Sequence, residues 1–234
     1  MDDIFTASSQ ALAMLLAGDA ELWSIIAVSL SVSLRAILYA TPPAVGLAFV
    51  LAYCRFPGRR LWIVLFNTLM AVPAVVVGLT VYLCLSRNGP LGDLRLLFTQ
   101  QAMIIGQVIL CFPLLVAMSH AAFQSRDQRA WETALTLGAS PWRALRTVIY
   151  EVRFGLIAAI VAAFGRIVAE VGCSMMVGGN ILHHTRNIPT AIALETSKGA
   201  FAQGIALGAV LLVFALSLNL TLNVLQGSGE THNQ

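Results

Sequence analysis

The segment WETALTLGASPWRALRTVIYE, residues 131–151, is a polar insert between two long apolar runs. Its first part predicts a short helix over residues 127–137. One side of that helix carries Trp131, Ala134 and Leu135. A short helix with an exposed apolar side is suited to docking in a groove of another protein. The alternative is an amphipathic helix that rests on lipid headgroups.

The residues that follow this helix predict a turn and a second helix. Gly138 is a favoured residue just past a helix end, because glycine adopts a left-handed backbone without strain. Ser140 fits an N-cap and Pro141 fits the first helical position. We expect the second helix to run from Pro141 straight into an apolar span that begins near residue 154. The segment therefore predicts a helical elbow.

The composition indicates an integral membrane protein. Of the 234 residues, 58% are hydrophobic and only 11% are charged, whereas soluble domains carry about 25% charged residues. A soluble domain of this size could not cover its surface with so few charges. Most of the surface is therefore expected to face lipid.

The spacing of charges predicts five transmembrane helices in one all-α bundle. Three stretches lack Asp, Glu, Lys and Arg, and each exceeds the ~20 residues that cross a bilayer. Two further apolar runs are interrupted by Arg35 and by Arg166 with Glu170. The predicted spans lie near residues 22–53, 61–85, 101–121, 154–177 and 200–225. The first contains Pro42 and Pro43, which predict a kinked or tilted helix.

The basic residues predict the orientation. The loop 55–60 holds three arginines and the insert 126–153 holds five, against four basic residues in the connections on the other side. The positive-inside rule places the insert in the cytoplasm, the N-terminus outside and the C-terminus inside. The basic residues therefore follow the membrane rule and do not indicate nucleic-acid binding.

We expect one domain, because no Ser/Gly-rich or charged linker divides the chain. Residues 1–21 form an extracytoplasmic segment in which residues 4–18 are a possible interfacial helix. Residues 22–225 form the membrane domain, with a cytoplasmic loop over 122–153. Residues 226–234 are a cytoplasmic tail.

Motifs for catalysis are absent from the sequence. There is no GxxxxGK[ST] phosphate loop, HExxH or GxSxG. His183 and His184 are adjacent, but no carboxylate lies at ligand spacing. The four cysteines form no CxxC pattern. We expect no metal, no bound cofactor and no enzymatic activity.

Arg166 and Glu170 are the notable charges within a predicted span. Four residues apart, they would share one helix face and could pair. An unpaired charge at the bilayer centre costs about 2.5–3.5 kcal/mol on insertion scales. The pair is either a structural lock or the border of a polar pathway in which Arg166 faces an anion.

Small residues follow this pair in EVGCSMMVGGN. They allow close backbone approach, and their N–H groups could bind an oxyanion. The candidate pathway or gate residues are Pro73, Gly78, Gly172, Ser174, Gly178, Gly179 and Asn180.

The insert resembles the EAA loop of ATP-binding-cassette importer permeases. Glu132-Thr133-Ala134 occupies the start of that pattern, Gly138 matches its glycine, and Val148 falls at its aliphatic position. The Leu-Pro that follows in much of the family is replaced by Tyr150-Glu151. Further segments resemble the molybdate and sulfate permeases, and FGRIVAEVGCSMMVGGNI with TRNIPTAIALETSKGAFAQGIALG is most similar to the tungstate branch. The resemblance spans residues 22–225.

This resemblance implies the type I importer permease fold and a homodimer in the bacterial cytoplasmic membrane. It further implies two ATPase subunits below, which use the ATP, and an extracytoplasmic binding protein above. The ATPase-coupling loop would comprise Trp131, Glu132, Thr133, Ala134, Leu135, Gly138, Ala139 and Ser140.

The substrate that the resemblance implies is an oxyanion, tungstate first and molybdate second, with sulfate or another small anion as alternatives. An autonomous channel or ion-coupled transporter is the rival from another class, with Arg166 and Glu170 as its coupling element. A membrane enzyme is disfavoured because no His, Cys and carboxylate set converges.

Overall fold

The computed structural model describes residues 19–125 and 129–230, which contain helices and no strand. The possible helix over 4–18 lies outside these ranges. The helices are α1 Ala20–Tyr53, α2 Arg59–Leu69, α3 Ala74–Leu85, α4 Gln100–Gln124, α5 Arg129–Thr136, α6 Pro141–Glu151, α7 Arg153–Val168, α8 Gly172–Gly178, α9 Ile188–Ser197 and α10 Phe201–Glu230, with a 3-10 turn at Gly92–Leu94.

Helix α4 is the centre of the bundle. It contacts α1, α2, α3, α7 and α8. The largest contact is with α1, which presents alanines spaced four residues apart and fully buried: Ala36, Ala40, Ala44 and Ala48. Such a row lets two helix backbones approach closely, which favours association where lipid removes most of the hydrophobic driving force.

The first span is one uninterrupted helix of 34 residues. It begins at Asp19, whose carboxylate accepts hydrogen bonds from the Glu21 N–H at 2.8 Å and the Leu22 N–H at 3.4 Å. It continues through Pro42 and Pro43. The prolines therefore do not end this helix.

The second predicted span, 61–85, is wrong as a single helix. It is divided into α2 and α3, whose axes differ by 99°. The break falls at Met70–Pro73, where Pro73 has an extended backbone and its carbonyl accepts from the N–H groups of Val76 and Val77. Proline has no N–H to continue a helix, so the chain restarts there.

The fourth predicted span, 154–177, and the straight helix entering it are wrong as well. Helices α6 and α7 meet at Val152 with a bend of 68°. Helix α7 ends at Val168, and α8 begins only at Gly172. The predicted span therefore consists of two helices separated by a short turn.

In the described part of the chain, two helices are long and apolar enough to cross a membrane, α1 and α4. The number becomes four if each bent pair, α2 with α3 and α6 with α7, is one span. The apolar stretch Phe201–Ser217 of α10 is shorter. The count of five spans and the placement of the two termini thus stay predictions.

Candidate functional site: the helical elbow and the contact between α3 and α8

The helical elbow is present, and Trp131 attaches it to the bundle. The Trp131 ring lies 5.1 Å from the Phe49 ring and 5.9 Å from the Tyr53 ring, centre to centre. Both partners belong to the end of α1, and the Trp131 side chain is half-buried. The expectation that Trp131 lies on an exposed docking side is therefore wrong, because this indole packs inward.

The outward side of the elbow is formed by other residues. Leu137 is 82% exposed and Leu135 is 38% exposed. Glu132 and Thr133 are exposed too, whereas the side chain of Ala134 lies outside the described residues. The outward side of the elbow therefore carries two exposed leucines beside polar residues.

The turn after α5 has the geometry that the sequence predicts. Gly138 has φ +85°, and its N–H donates to the Leu135 carbonyl at 3.0 Å. Ala139 is half-buried and Ser140 is exposed. Ser140 has an extended backbone, and its carbonyl accepts the Ala144 N–H at 3.0 Å. The Ser140 side chain makes no capping hydrogen bond, so the cap is a backbone one.

Helix α6 connects the elbow to the core through one face. Ala144 and Val148 are buried, and Val148 belongs to a hydrophobic cluster with residues at the ends of α1 and α4. The opposite face exposes Trp142 and Tyr150. At the bend that follows, the Arg153 guanidinium lies 4.0 Å from the centre of the Tyr150 ring. The elbow is therefore packed against the bundle on one side and open on the other.

Arg166 and Glu170 do not form an ion pair. Within residues 19–125 and 129–230, the ion pairs join Glu21 to Arg186 and Glu195 to Lys198. Helix α7 ends before Glu170, so the two side chains do not share a helix face. The Glu170 carboxylate instead accepts the Cys173 N–H at 3.1 Å, at the start of α8. The side chain of Arg166 is exposed.

The candidate gate glycines form the contact between α3 and α8. A Cβ atom added to Gly78 would lie 2.8 Å from the Cys173 Cα atom, and one added to Gly172 would lie 2.6 Å from a Val75 methyl group. Pro73 begins α3 and is exposed. The two helices therefore touch at backbone distance, which only glycine permits.

The end of α8 is equally crowded. A Cβ atom on Gly178 would lie 2.9 Å from the Met103 sulfur, and one on Gly179 would lie 2.7 Å from the Phe98 ring. Gly179 has φ +68° and Asn180 has φ +52°. The buried Ser174 hydroxyl and the Asn180 amide oxygen have no hydrogen-bond partner within residues 19–125 and 129–230.

Thr185 and Gln107 are polar residues that the sequence reasoning missed. The fully buried Thr185 hydroxyl donates to the Gly178 carbonyl at 2.6 Å and accepts the Ile181 N–H at 2.9 Å. The buried Gln107 amide donates to the Ile167 carbonyl near the end of α7 at 3.4 Å. Gln107 carried a signal, since it is a polar side chain within a charge-free span. Thr185 carried none.

The adjacent histidines do not converge on a metal site. His183 Nδ1 lies 3.1 Å from the Ser24 hydroxyl, and the His184 carbonyl accepts from the Gln100 amide at 2.9 Å. Across the part of the chain that the structure describes, no group of three or more His, Cys, Asp and Glu residues could hold a metal ion.

The fold is that of ATP-binding-cassette importer permeases. The structure superposes with a TM-score of 0.74 on a bacterial ATP-binding-cassette transporter that imports the acidic polysaccharide alginate, at 18% identity over 93% of this chain and 82% of the other. It superposes with a TM-score of 0.64 on the inward-facing MetNI methionine transporter, at 15% identity over 88% and 92% of the two chains. At such identities the likeness concerns the fold alone.

The chain belongs to the family described as binding-protein-dependent transport system inner membrane component, which matches residues 44–228. It is 40% identical to the tungstate uptake system permease protein TupB of Campylobacter jejuni, over 94% of this chain and 92% of that one. It is 41% identical to a probable anion ABC transporter permease protein of Haloferax volcanii, over 84% and 87%. The molybdenum permease ModB of Escherichia coli is 30% identical over 73% and 78%. The chain is thus a multi-pass membrane permease and a non-catalytic transport subunit.

Proposed function

We propose that this chain is the membrane-spanning subunit of an ATP-driven importer that translocates tungstate delivered by an extracytoplasmic binding protein. It works as a homodimer in the bacterial cytoplasmic membrane, with two ATPase subunits that bind and hydrolyse the ATP. The observation that supports tungstate as the substrate is the similarity to a tungstate permease along nearly the whole chain. Molybdate is the second candidate, because relatives that carry it are also similar, though less so.

The elbow is the element that receives movement of the ATPase. Its outward residues, above all Leu137, would enter the ATPase groove, while Trp131 holds α5 against the end of α1. Gly138 separates the two helices and allows α5 to lie across the surface. Because Val148 packs α6 against α1 and α4, a displacement of α5 would be transmitted to the helix bundle.

The basic loop 55–60 and the elbow lie on the cytoplasmic side in this proposal. Support comes from the positive-inside rule and from the contact of Trp131 with Phe49 and Tyr53, which joins the elbow to the end of α1 that precedes the basic loop. The N-terminus is then outside and the C-terminus inside.

The pathway in this proposal follows the exposed faces of α3 and α8. Their glycine contact would let the two helices shift against each other without side chains interlocking. Arg166 is exposed near the end of α7, six residues before Gly172, and has no carboxylate partner among the described residues. Its charge would attract a tetrahedral dianion, while Glu170 serves as the cap of α8.

The deciding experiment is reconstitution of this chain with its ATPase and binding protein in lipid vesicles. ATP hydrolysis is measured with the binding protein preloaded with tungstate, molybdate or sulfate. We expect the strongest stimulation with tungstate. Stimulation by another anion alone would refute the proposal that tungstate is the substrate. Failure of any ATPase to associate would refute the proposal that this chain works with ATPase subunits.

A pair of leucine variants tests the elbow in the same assay. Leu137→Asp should abolish stimulated hydrolysis without unfolding the chain, because the side chain is almost fully exposed. The control is Leu94→Asp, since Leu94 is 55% exposed in the 3-10 turn away from the elbow. Gly138→Trp should act like Leu137→Asp, because a side chain at φ +85° is strained. Transport that persists in both elbow variants would favour an autonomous ion-coupled transporter or channel.

A further inference from the structure

A basic cavity of about 370 Å³ lies between the end of α1 and the start of α2. Its lining consists of Arg55, Phe56, Gly58, Arg59 and Arg60. Three guanidinium groups within six residues form a concentrated positive charge. The coupling role of the elbow and the pathway do not require this cavity.

Arg59 holds the loop of this cavity against the end of α1. Its Nε atom donates to the Leu51 carbonyl, and its Nη2 atom donates to the Ala52 carbonyl at 3.2 Å. These carbonyls lie in the last turn of α1, where helix carbonyl groups lack partners within the helix. Arg59 therefore caps α1 and holds the loop in place, and its guanidinium is largely occupied by that task.

Among the arginines of this cavity, Arg55 and Arg60 have no partner in the described part of the chain. Both are exposed, and neither forms an ion pair or a side-chain hydrogen bond with any residue that the structure describes. Gly58 lines the same cavity and precedes α2, so the positive end of that helix dipole points to the same place. A ligand that neutralises this cavity must carry negative charge.

An apolar strip continues from the cavity along α2. Leu61 is 72% exposed, Trp62 is 49% exposed and Val64 is 59% exposed. In a membrane protein such residues face acyl chains, and tryptophan prefers the level of the headgroups. The ligand that matches a cationic cavity joined to an apolar strip has an anionic head and a hydrocarbon tail.

We propose that Arg55 and Arg60 bind the phosphate of an anionic phospholipid whose acyl chain lies along Leu61, Trp62 and Val64. The site depends only on the membrane location of the chain and not on which anion it transports. The lipid would stabilise the junction of α1 and α2. Tyr53 lies one turn from this junction and contacts the Trp131 ring of the elbow.

Native mass spectrometry of the full chain tests this proposal. Purified protein is equilibrated with mixed micelles of phosphatidylglycerol and phosphatidylcholine, and the retained lipids are counted. We expect wild type to retain phosphatidylglycerol preferentially. An arginine near an anionic headgroup contributes roughly fivefold, so Arg55→Gln with Arg60→Gln should lower the preference by about 25-fold.

Two further variants keep the test decisive. Arg87→Gln with Arg95→Gln removes the same charge elsewhere and should leave the preference unchanged. Arg55→Lys with Arg60→Lys keeps both charges and should preserve most of it, which shows that loss in the glutamine variant is not misfolding. An equal preference in wild type and the glutamine variant would overturn the proposal. Displacement of phosphatidylglycerol by millimolar phosphate or tungstate would overturn it as well, because the cavity would then be a site for a free oxyanion.

Discussion

Cys173 lies between two glycines of neighbouring helices, and the two contacts differ in kind. A Cβ atom on Gly106 of α4 would lie 2.5 Å from the Cys173 sulfur, the end of a side chain. A Cβ atom on Gly78 of α3 would lie 2.8 Å from the Cys173 Cα atom, which is backbone. Trimming Cys173 to alanine therefore relieves the first contact and leaves the second.

This geometry gives the expected change in the free energy of unfolding for each variant. Gly106→Ala and Gly78→Ala should each lower the free energy of unfolding by about 1–3 kcal/mol, as overpacking of a dense core does. Cys173→Ala alone removes one buried sulfur and should cost about 1 kcal/mol. In Gly106→Ala with Cys173→Ala, the added carbon occupies the space of the lost sulfur. This double variant should return to within about 1 kcal/mol of wild type, as coupled neighbours can. Gly78→Ala with Cys173→Ala should keep the loss of Gly78→Ala, because the Cys173 Cα atom stays in place.

The assay is the apparent melting temperature of each purified variant in one detergent, followed by tryptophan fluorescence. A loss of 2 kcal/mol should lower it by about 4–8 °C for a chain of this size. Gly46→Ala is the control, since nothing lies within 4 Å of the added atom in α1. The reasoning is refuted if Cys173→Ala fails to rescue Gly106→Ala, or if it rescues Gly78→Ala equally well.

Substitutions at three further positions test single contacts in the same melting assay. Thr185→Val leaves the Gly178 carbonyl and the Ile181 N–H without their partner and should cost about 2–4 kcal/mol; an unchanged melting temperature would mean that water replaces the hydroxyl. Asn187→Ala removes the capping box of α9 and should cost about 1 kcal/mol, with Asn67→Ala on the exposed side of α2 as the neutral comparison. Glu170→Gln keeps an oxygen that accepts the Cys173 N–H, whereas Glu170→Leu does not. The glutamine variant should therefore be the more stable one, and equal loss in both would restore an ionic role for Glu170.

Local chemistry made the elbow predictable. Gly138 must follow a helix end because few other residues adopt positive φ cheaply. Ser140-Pro141 must start one because proline fits a first turn. Both statements concern single residues and their own backbone, and both hold in the structure. The uninterrupted apolar run of α4 was predictable for the same reason, since its length and composition suffice.

The direction of Trp131 was not predictable, because helix periodicity gives the residues that share a face but not what that face meets. Trp131 and Leu135 are four residues apart, yet the former packs against α1 and the latter is exposed at its edge. The orientation of Trp131 depends on Phe49 and Tyr53, which are about eighty residues away in the chain. The local residue pattern therefore located the helix, but it did not show that the Trp131 ring packs against Phe49 and Tyr53.

The broken spans have a common physical origin. An apolar run of the right length is compatible with one helix or with two, and the choice depends on whether the break can satisfy its backbone groups. Pro73 has no N–H group, so one fewer backbone donor needs a partner at the start of α3. At the start of α8, the Glu170 carboxylate accepts a hydrogen bond from the Cys173 N–H group. An i, i+4 charge pattern suggests a salt bridge only if the helix continues between the two residues. Here the helix ends at Val168, the Glu170 carboxylate accepts the Cys173 N–H in the first turn of α8, and Gly172 allows α8 to pack closely on α3. The Glu170 carboxylate is therefore explained by a backbone N–H group that it satisfies and not by a pair with Arg166.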